Sequence, residues 1–280
     1  MAYKTILVCL TNAANAERLV KAASTLARKF DAHLIGLHVQ TTLRSYSAGD
    51  IDLPTTASRA YRQEQLENAK TIQSVFEQNT CAEDFVSEWR LAEAEVGELE
   101  ECLVEHALCS DLVIMGQTDH DKHRSNQTRA QEAVIRRSGR PVFILPSVGR
   151  FEHFGEHVLI GWRATGEASR ALHDAIPFAK DGGRATVLWV SSSRKGTDRL
   201  EGSARAIAGC LDRHGVKTTV AHWQNSDIAI GDALLNESFE RGADMIVTGA
   251  FGHSKLYDFV IGATTSNLLE QMTLPVLFSN

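Results

Sequence analysis

The chain has 280 residues, long enough for two domains of ~150 residues. Hydrophobic residues make up 43% and charged residues 23%, the mix of a packed globular protein and not of a disordered one. The 29 Lys and Arg fall short of the 35 Asp and Glu, giving −6, and no basic stripe forms, which argues against a nucleic-acid partner. No apolar run reaches the ~18 residues of a membrane span, and Ile6–Leu10 is too short for a secretory core, so a cytoplasmic protein without a membrane partner is expected. Five cysteines without CxxC spacing fit reduced thiols, with Cys102 and Cys109 read as core residues on one helix face.

Short Val/Ile/Leu runs alternate with amphipathic stretches along the whole chain. The first half predicts strands at 4–10, 33–39, 84–90, 111–115 and 141–145, and helices at 14–30, 59–79, 95–108 and 127–138. A Ser/Thr/Gly/Pro-rich loop is expected from Thr41 to Ser58. Glu93, Glu95, Glu98, Glu100 and Glu101 read as a solvated face in and just before one helix. The second half predicts strands at 157–162, 185–190, 217–223, 244–248 and 275–278, and helices at 167–180, 198–214, 229–241 and 262–272. Asp31, Gly215 and Gly242 each follow a basic residue or pair within the last turn and mark helix ends.

The two halves repeat each other. Thr5–Leu10 matches His157–Trp162, Asp111–Gly116 matches Asp244–Gly249, and Pro141–Leu145 matches Pro275–Ser279. The polar stretch Ser147–Glu156 reads as a linker. Continuous apolar strands suit parallel sheets covered on both faces, with right-handed crossovers. The expected fold is α/β, two tandem Rossmann-like domains over 1–147 and 154–280, each a five-stranded parallel sheet flanked by helices, forming an internal pseudo-dimer.

Ligands of such sheets sit beyond the carboxyl ends of the strands at the switch point, here between the first and fourth strands. Copy two offers Trp162-Arg163-Ala164-Thr165 and Gly249-Ala250-Phe251-Gly252-His253-Ser254 there. Gly249, Gly252 and Gly262 are spaced G-x2-G-x9-G, and Gly262-Ala263-Thr264-Thr265 opens a helix whose N–H groups suit an anion. The same glycines also suit plain turns. His253 is a candidate phosphate contact. The groups His120, His123, Asp119, Asp121 and His153, His157 lie in polar stretches, where solvated side chains are expected and no metal is. Neither GxSxG nor a Cys–His pairing is legible, so no catalytic residue is assigned.

These motifs resemble the tandem universal stress protein family, over both halves. The glycine spacing matches the family's nucleotide motif, and Gly161-Trp162-Arg163-Ala164-Thr165-Gly166 resembles its first strand-to-helix turn. The resemblance implies an adenine nucleotide alpha hydrolase-like fold whose fifth strands pair the two copies. It implies a nucleotide-contact set of Gly161, Trp162, Arg163, Val190, Gly249, Ala250, Gly252, His253, Gly262, Ala263, Thr264 and Thr265, with ATP or another adenine nucleotide as ligand. Two departures weaken that ligand: Ala263 stands at a Ser/Thr position, and Arg163 where nucleotide-binding members carry Asp. Copy one keeps Gly116 but has Asp119 and Thr128 at the other glycine positions, and reads as degenerate. The implied function is a stress-response regulatory protein with weak nucleotide binding and, at most, weak ATPase activity. A slow ATP-hydrolysing enzyme and an interaction module without nucleotide are the alternatives, and a homodimer is compatible with each.

Overall fold

The computed structural model describes residues 3–42, 55–95, 97–118, 124–180, 182–191, 197–224, 228–251 and 262–280. By its internal contacts the chain divides into two units. The first holds β1 (Thr5–Cys9), α1 (Ala13–Phe30), β2 (His33–Thr42), α2 (Thr55–Thr80), β3 (Ser87–Glu95), α3 (Leu99–Leu108), β4 (Leu112–Gly116) and α4 (Arg124–Arg137). Its strands lie in the order β3-β2-β1-β4, with each described pairing parallel. Ile6, Leu7, Val8, Leu112, Val113 and Ile114 are fully buried, as strands covered on both faces must be. Helix α1 places Ala16, Leu19, Val20, Ala23, Leu26 and Ala27 on its buried face. The Asn12 Oδ1 accepts the Ala14 N–H at 2.9 Å to start the helix, and Asp31 ends it in the left-handed conformation.

The second unit holds β5 (Val142–Leu145), β6 (His157–Gly161), α5 (Gly166–Ala179), β7 (Arg184–Ser191), α6 (Thr197–Arg213), β8 (Lys217–Gln224), α7 (Ile230–Arg241), β9 (Met245–Gly249), α8 (Ala263–Gln271) and β10 (Val276–Ser279), together with Gln117. The strand order is β5-β10-β9-β6-β7-β8. All described pairings are parallel except β5 with β10, which run antiparallel with Phe143 opposite Leu277. The fifth strands of the two repeats therefore pair, as the family resemblance implies. Phe143 stacks on Phe178 with ring centroids 5.6 Å apart and meets Phe154 edge-on at 5.3 Å. Gly215 and Gly242 adopt positive φ at their helix ends, as expected.

The repeat is also legible in a pair of carboxylates. Asp111 accepts the N–H groups of Lys4 and Thr5 at the start of β1. Asp244 accepts those of Gly155, Glu156 and His157 at the start of β6. Each ties the loop before one strand to the strand beside it.

Several expectations are corrected. Strand β3 runs to Glu95 and not to 90, because β2 extends to Thr42 and pairs with it residue for residue to the end. Glu93 and Glu95 therefore lie on a strand. Of the stretch Thr41 to Ser58, Thr41 and Thr42 belong to β2, and α2 begins at Thr55. The linker is not merely a polar tether. Phe154 is buried, and Gly155, at φ +90, lies so close to α5 that a Cβ there would sit 2.3 Å from the Phe178 carbonyl oxygen. Cys109 is exposed at the end of α3, so it is not a core thiol, whereas Cys9 is buried. Among the described residues no helix is long and apolar enough to cross a membrane.

Candidate functional site

The second unit brings the carboxyl ends of β6 and β9 side by side, with Gly161 level with Thr248. The turn from β6 into α5 is fixed by the Thr165 N–H to the Arg163 carbonyl at 2.7 Å. The Thr165 hydroxyl caps α5 through the Ala168 N–H at 3.4 Å. Arg163 and Ala164 are exposed at the tip. Trp162 is half-buried: its N–H donates to the Leu188 carbonyl, and its indole N–H donates to Ser203 Oγ on α6 at 3.1 Å. Val190 is half-buried near the end of β7.

Gly249 ends β9 beneath the first turn of α5. A Cβ there would lie 2.6 Å from the Ala168 nitrogen and 2.6 Å from the Glu167 carbonyl carbon, both main-chain atoms. The glycine is thus required for helix-on-strand approach, without any ligand. Ala250 is fully buried, with its N–H on the Ser279 carbonyl, and Phe251 takes a positive φ of 61. A non-glycine residue there holds a sparsely populated backbone conformation. Gly252 and His253 lie outside the described residues, as do Asp119, His120, Asp121 and His123.

Helix α8 begins with Gly262 as its cap, and among the described residues no side chain caps it. Its positive end and first N–H groups are the feature of the site suited to an anion. Ala263 is exposed and Thr264 half-buried, but Thr265 is only 2% exposed, which takes its hydroxyl away from solvent. One turn on, the Asn267 side-chain N–H donates to Asp232 Oδ1 at 3.1 Å, joining α8 to the start of α7. Asn267 Oδ1 is buried without a hydrogen-bond partner and lies against Gly231, where a Cβ would be 2.0 Å away. The sequence offered no signal for Ser203, Asp232 or Asn267, because their roles depend on helix placement.

Three polar side chains of copy one bond main-chain carbonyls. In the first unit, Gln131 donates to the Gly116 carbonyl from α4. His38, 2% exposed, donates its Nδ1–H to the Leu10 carbonyl at 2.6 Å, and burial pushes its pKa down. In the second unit, Gln117 donates its side-chain N–H groups to the Leu269 and Glu270 carbonyls at the end of α8, and accepts the Ser147 N–H. It is a structural tie.

The histidine expectation is corrected at His157. That ring is buried, donating Nδ1–H to the Arg241 carbonyl at 3.0 Å and accepting from Thr186 Oγ1 at 2.9 Å, and burial first, then the Arg184 charge, lowers its pKa. His153 is exposed and lies 3.3 Å from Glu156. Among the described residues no group of three His, Cys, Asp or Glu is placed to hold a metal. A trough of about 970 Å³ opens elsewhere in the second unit, between α6 and β8, and none of the expected nucleotide residues lines it.

The universal stress protein family profile matches residues 2–146 and 211–279. The chain belongs to that family. No curated protein matches it. Among solved structures, a universal stress protein from Archaeoglobus fulgidus DSM 4304 is 18% identical and superposes with a TM-score of 0.75, over 99% of this chain and 96% of that one. A functionally unknown protein from Pseudomonas aeruginosa PAO1 is 15% identical with a TM-score of 0.60, over 99% and 92%. The cytoplasmic domain of a prokaryotic cation chloride cotransporter is 11% identical with a TM-score of 0.51, over 98% and 94%. At these identities the likeness is one of fold.

Proposed function

We propose that this universal stress protein is a cytoplasmic stress-response regulator whose second copy, residues 154–280, binds an adenine nucleotide weakly. Residues 1–147 form a degenerate partner copy. The observation that carries the reading is the N-terminus of α8, which no side chain caps among the described residues and which opens with Gly262, the last glycine of the G-x2-G-x9-G spacing that begins at Gly249. The loss of two of the three motif glycines in copy one, where Asp119 and Thr128 stand, supports the asymmetry. Weakness follows from Ala263, which lacks the hydroxyl of the Ser/Thr position; Thr265, although buried, keeps its Oγ1 beside the helix start, 3.9 Å from where a Cβ at Gly262 would lie. One hydrogen bond lost to a charged phosphate costs about 1.5–3 kcal/mol, roughly ten- to a hundredfold in affinity. Arg163 adds a donor where an acceptor would read the adenine amino group.

Calorimetric titration with ATP tests this. The double variant Ala263→Ser, Arg163→Asp binds more tightly than the wild type, and Gly252→Asp abolishes binding. Tight wild-type binding that the double variant leaves unchanged would refute the assignment. A second reading, an interaction module without nucleotide, is favoured by one fact: Gly249 is already accounted for by the approach of α5. No heat with ATP in either the wild type or the double variant selects that reading.

A further inference from the structure

Each unit ends in an edge strand, β3 in the first and β8 in the second. An edge offers a row of main-chain donors and acceptors to any other strand, and proteins blunt such edges with charge, proline or bulges. β3 is blunted by Glu88, Arg90, Glu93 and Glu95. β8 reads Lys-Thr-Thr-Val-Ala-His-Trp-Gln, with a formal charge only at Lys217, and no proline. It pairs with β7 in unbroken register from Lys217 to Gln224, so it carries no bulge. No strand lies on its other side among the described residues.

The 970 Å³ trough runs along this edge. One wall is a stripe on α6 that includes Glu201, Arg205, Ala208 and Gly209, and the other is the face of β8 bearing Thr218, Val220 and His222. His222 is held flat: it stacks on Trp189 at 3.7 Å and 9°, and its Nε2 meets Ser191 Oγ at 2.9 Å. Strand and helix match in length, about 26 Å for the eight residues of β8 and about 25 Å for the seventeen of α6.

We infer that a second copy of this chain joins here, β8 to β8 and antiparallel about a two-fold axis, so that α6 of one copy packs along α6 of the other. A pairing centred on Val220 sets Thr218, whose N–H is held by Asp212 Oδ1 at 3.2 Å in the single chain and must exchange that bond, opposite His222 and Thr219 opposite Ala221, and brings Lys217 opposite Trp223, a cation–π arrangement. No like charges face each other in that register. Antiparallel α6 helices centred between Glu201 and Arg205 bring the carboxylate of each copy to the guanidinium of the other, twice over, as an isologous interface requires. In the isolated chain, among the described residues, these two side chains pair within their own helix, at 2.6 Å, with side-chain exposures of 72% for Arg205 and 42% for Glu201. Ala208 and Gly209 keep the helix surface low enough for close approach. The same unit already extends its opposite edge by antiparallel pairing, at β5 and β10.

Sedimentation velocity on the full chain over a concentration series tests the inference, and the expected result is a reversible monomer–dimer equilibrium. Arg205→Glu sets carboxylate against carboxylate at both crossing points and is expected to weaken the dimer roughly tenfold. The double variant Glu201→Arg, Arg205→Glu restores it. Both side chains are exposed, so folding is not at stake. Val220→Lys places two lysines face to face on the axis and weakens the dimer through the strand arm. A wild-type chain that stays monomeric through the micromolar range, or a dimer that survives either Arg205→Glu or Val220→Lys, overturns the inference.

Discussion

Gly249→Ala separates packing from ligand binding at the end of β9. The added methyl would stand 2.6 Å from the Ala168 nitrogen and the Glu167 carbonyl carbon and 3.0 Å from the Ala168 Cα. Comfortable contacts begin near 3.5 Å, so the first turn of α5 must retreat by about 1 Å. Main-chain atoms cannot swing aside, and such overpacking typically costs about 1–3 kcal/mol. In a unit of this size each kcal/mol lowers the melting temperature by roughly 2–4 °C. Two other glycines at strand ends provide controls. A Cβ at Gly161 meets the Leu234 methyl carbons at 3.0 and 3.2 Å and the Thr248 hydroxyl at 3.6 Å, and one at Gly116 meets the side-chain ends of Asn15 and Leu19 at 3.2 Å. Those ends can rotate, so Gly161→Ala and Gly116→Ala are expected to cost less than about 1 kcal/mol. Thermal denaturation without nucleotide ranks the three variants. If Gly249→Ala melts with the wild type, or all three fall equally, the close helix approach is not what the glycine serves.

Two further outcomes follow from titratable groups. His38 and His157 have folded pKa values lowered from 6.5, both chiefly by burial, so the unfolded chain takes up their protons first as pH falls. Stability is therefore constant above their unfolded pKa and is lost as pH drops below about 6.5, which urea denaturation midpoints between pH 8 and 5.5 check; a flat profile contradicts it. Burial pushes the Cys9 thiol up to about 12, whereas Cys81 and Cys109 are exposed. Iodoacetamide on the native protein is expected to label Cys81 and Cys109 and to reach Cys9 only on unfolding, as peptide mass mapping would show.

Much of this architecture was legible because buried parallel strands announce themselves as apolar runs, and Asp31, Gly215 and Gly242 end their helices where the residue types say they should. The slip came at β3, where Leu-Ala-Glu-Ala-Glu favours helix locally but the long register with β2 holds it extended. The switch-point rule says where a candidate site is to be sought. The local packing there was not legible, because the pressing of α5 on Gly249, the tie of Trp162 to Ser203 and the burial of Thr265 depend on side-chain packing between elements distant in sequence.

The antiparallel pairing of β5 with β10 makes the first repeat a strand donor. The chain leaves α4 at Arg137 and, within a few residues, lays Val142–Leu145 against a strand that the second repeat makes last. A chain severed between the repeats would leave β5 bare on one fragment and the β10 edge open on the other, two complementary ends that mix into a non-covalent whole. The topology thus offers a fragment complementation in which re-pairing of β5 with β10 is the reporter, and a covalent linker raises the local concentration of one strand at the other.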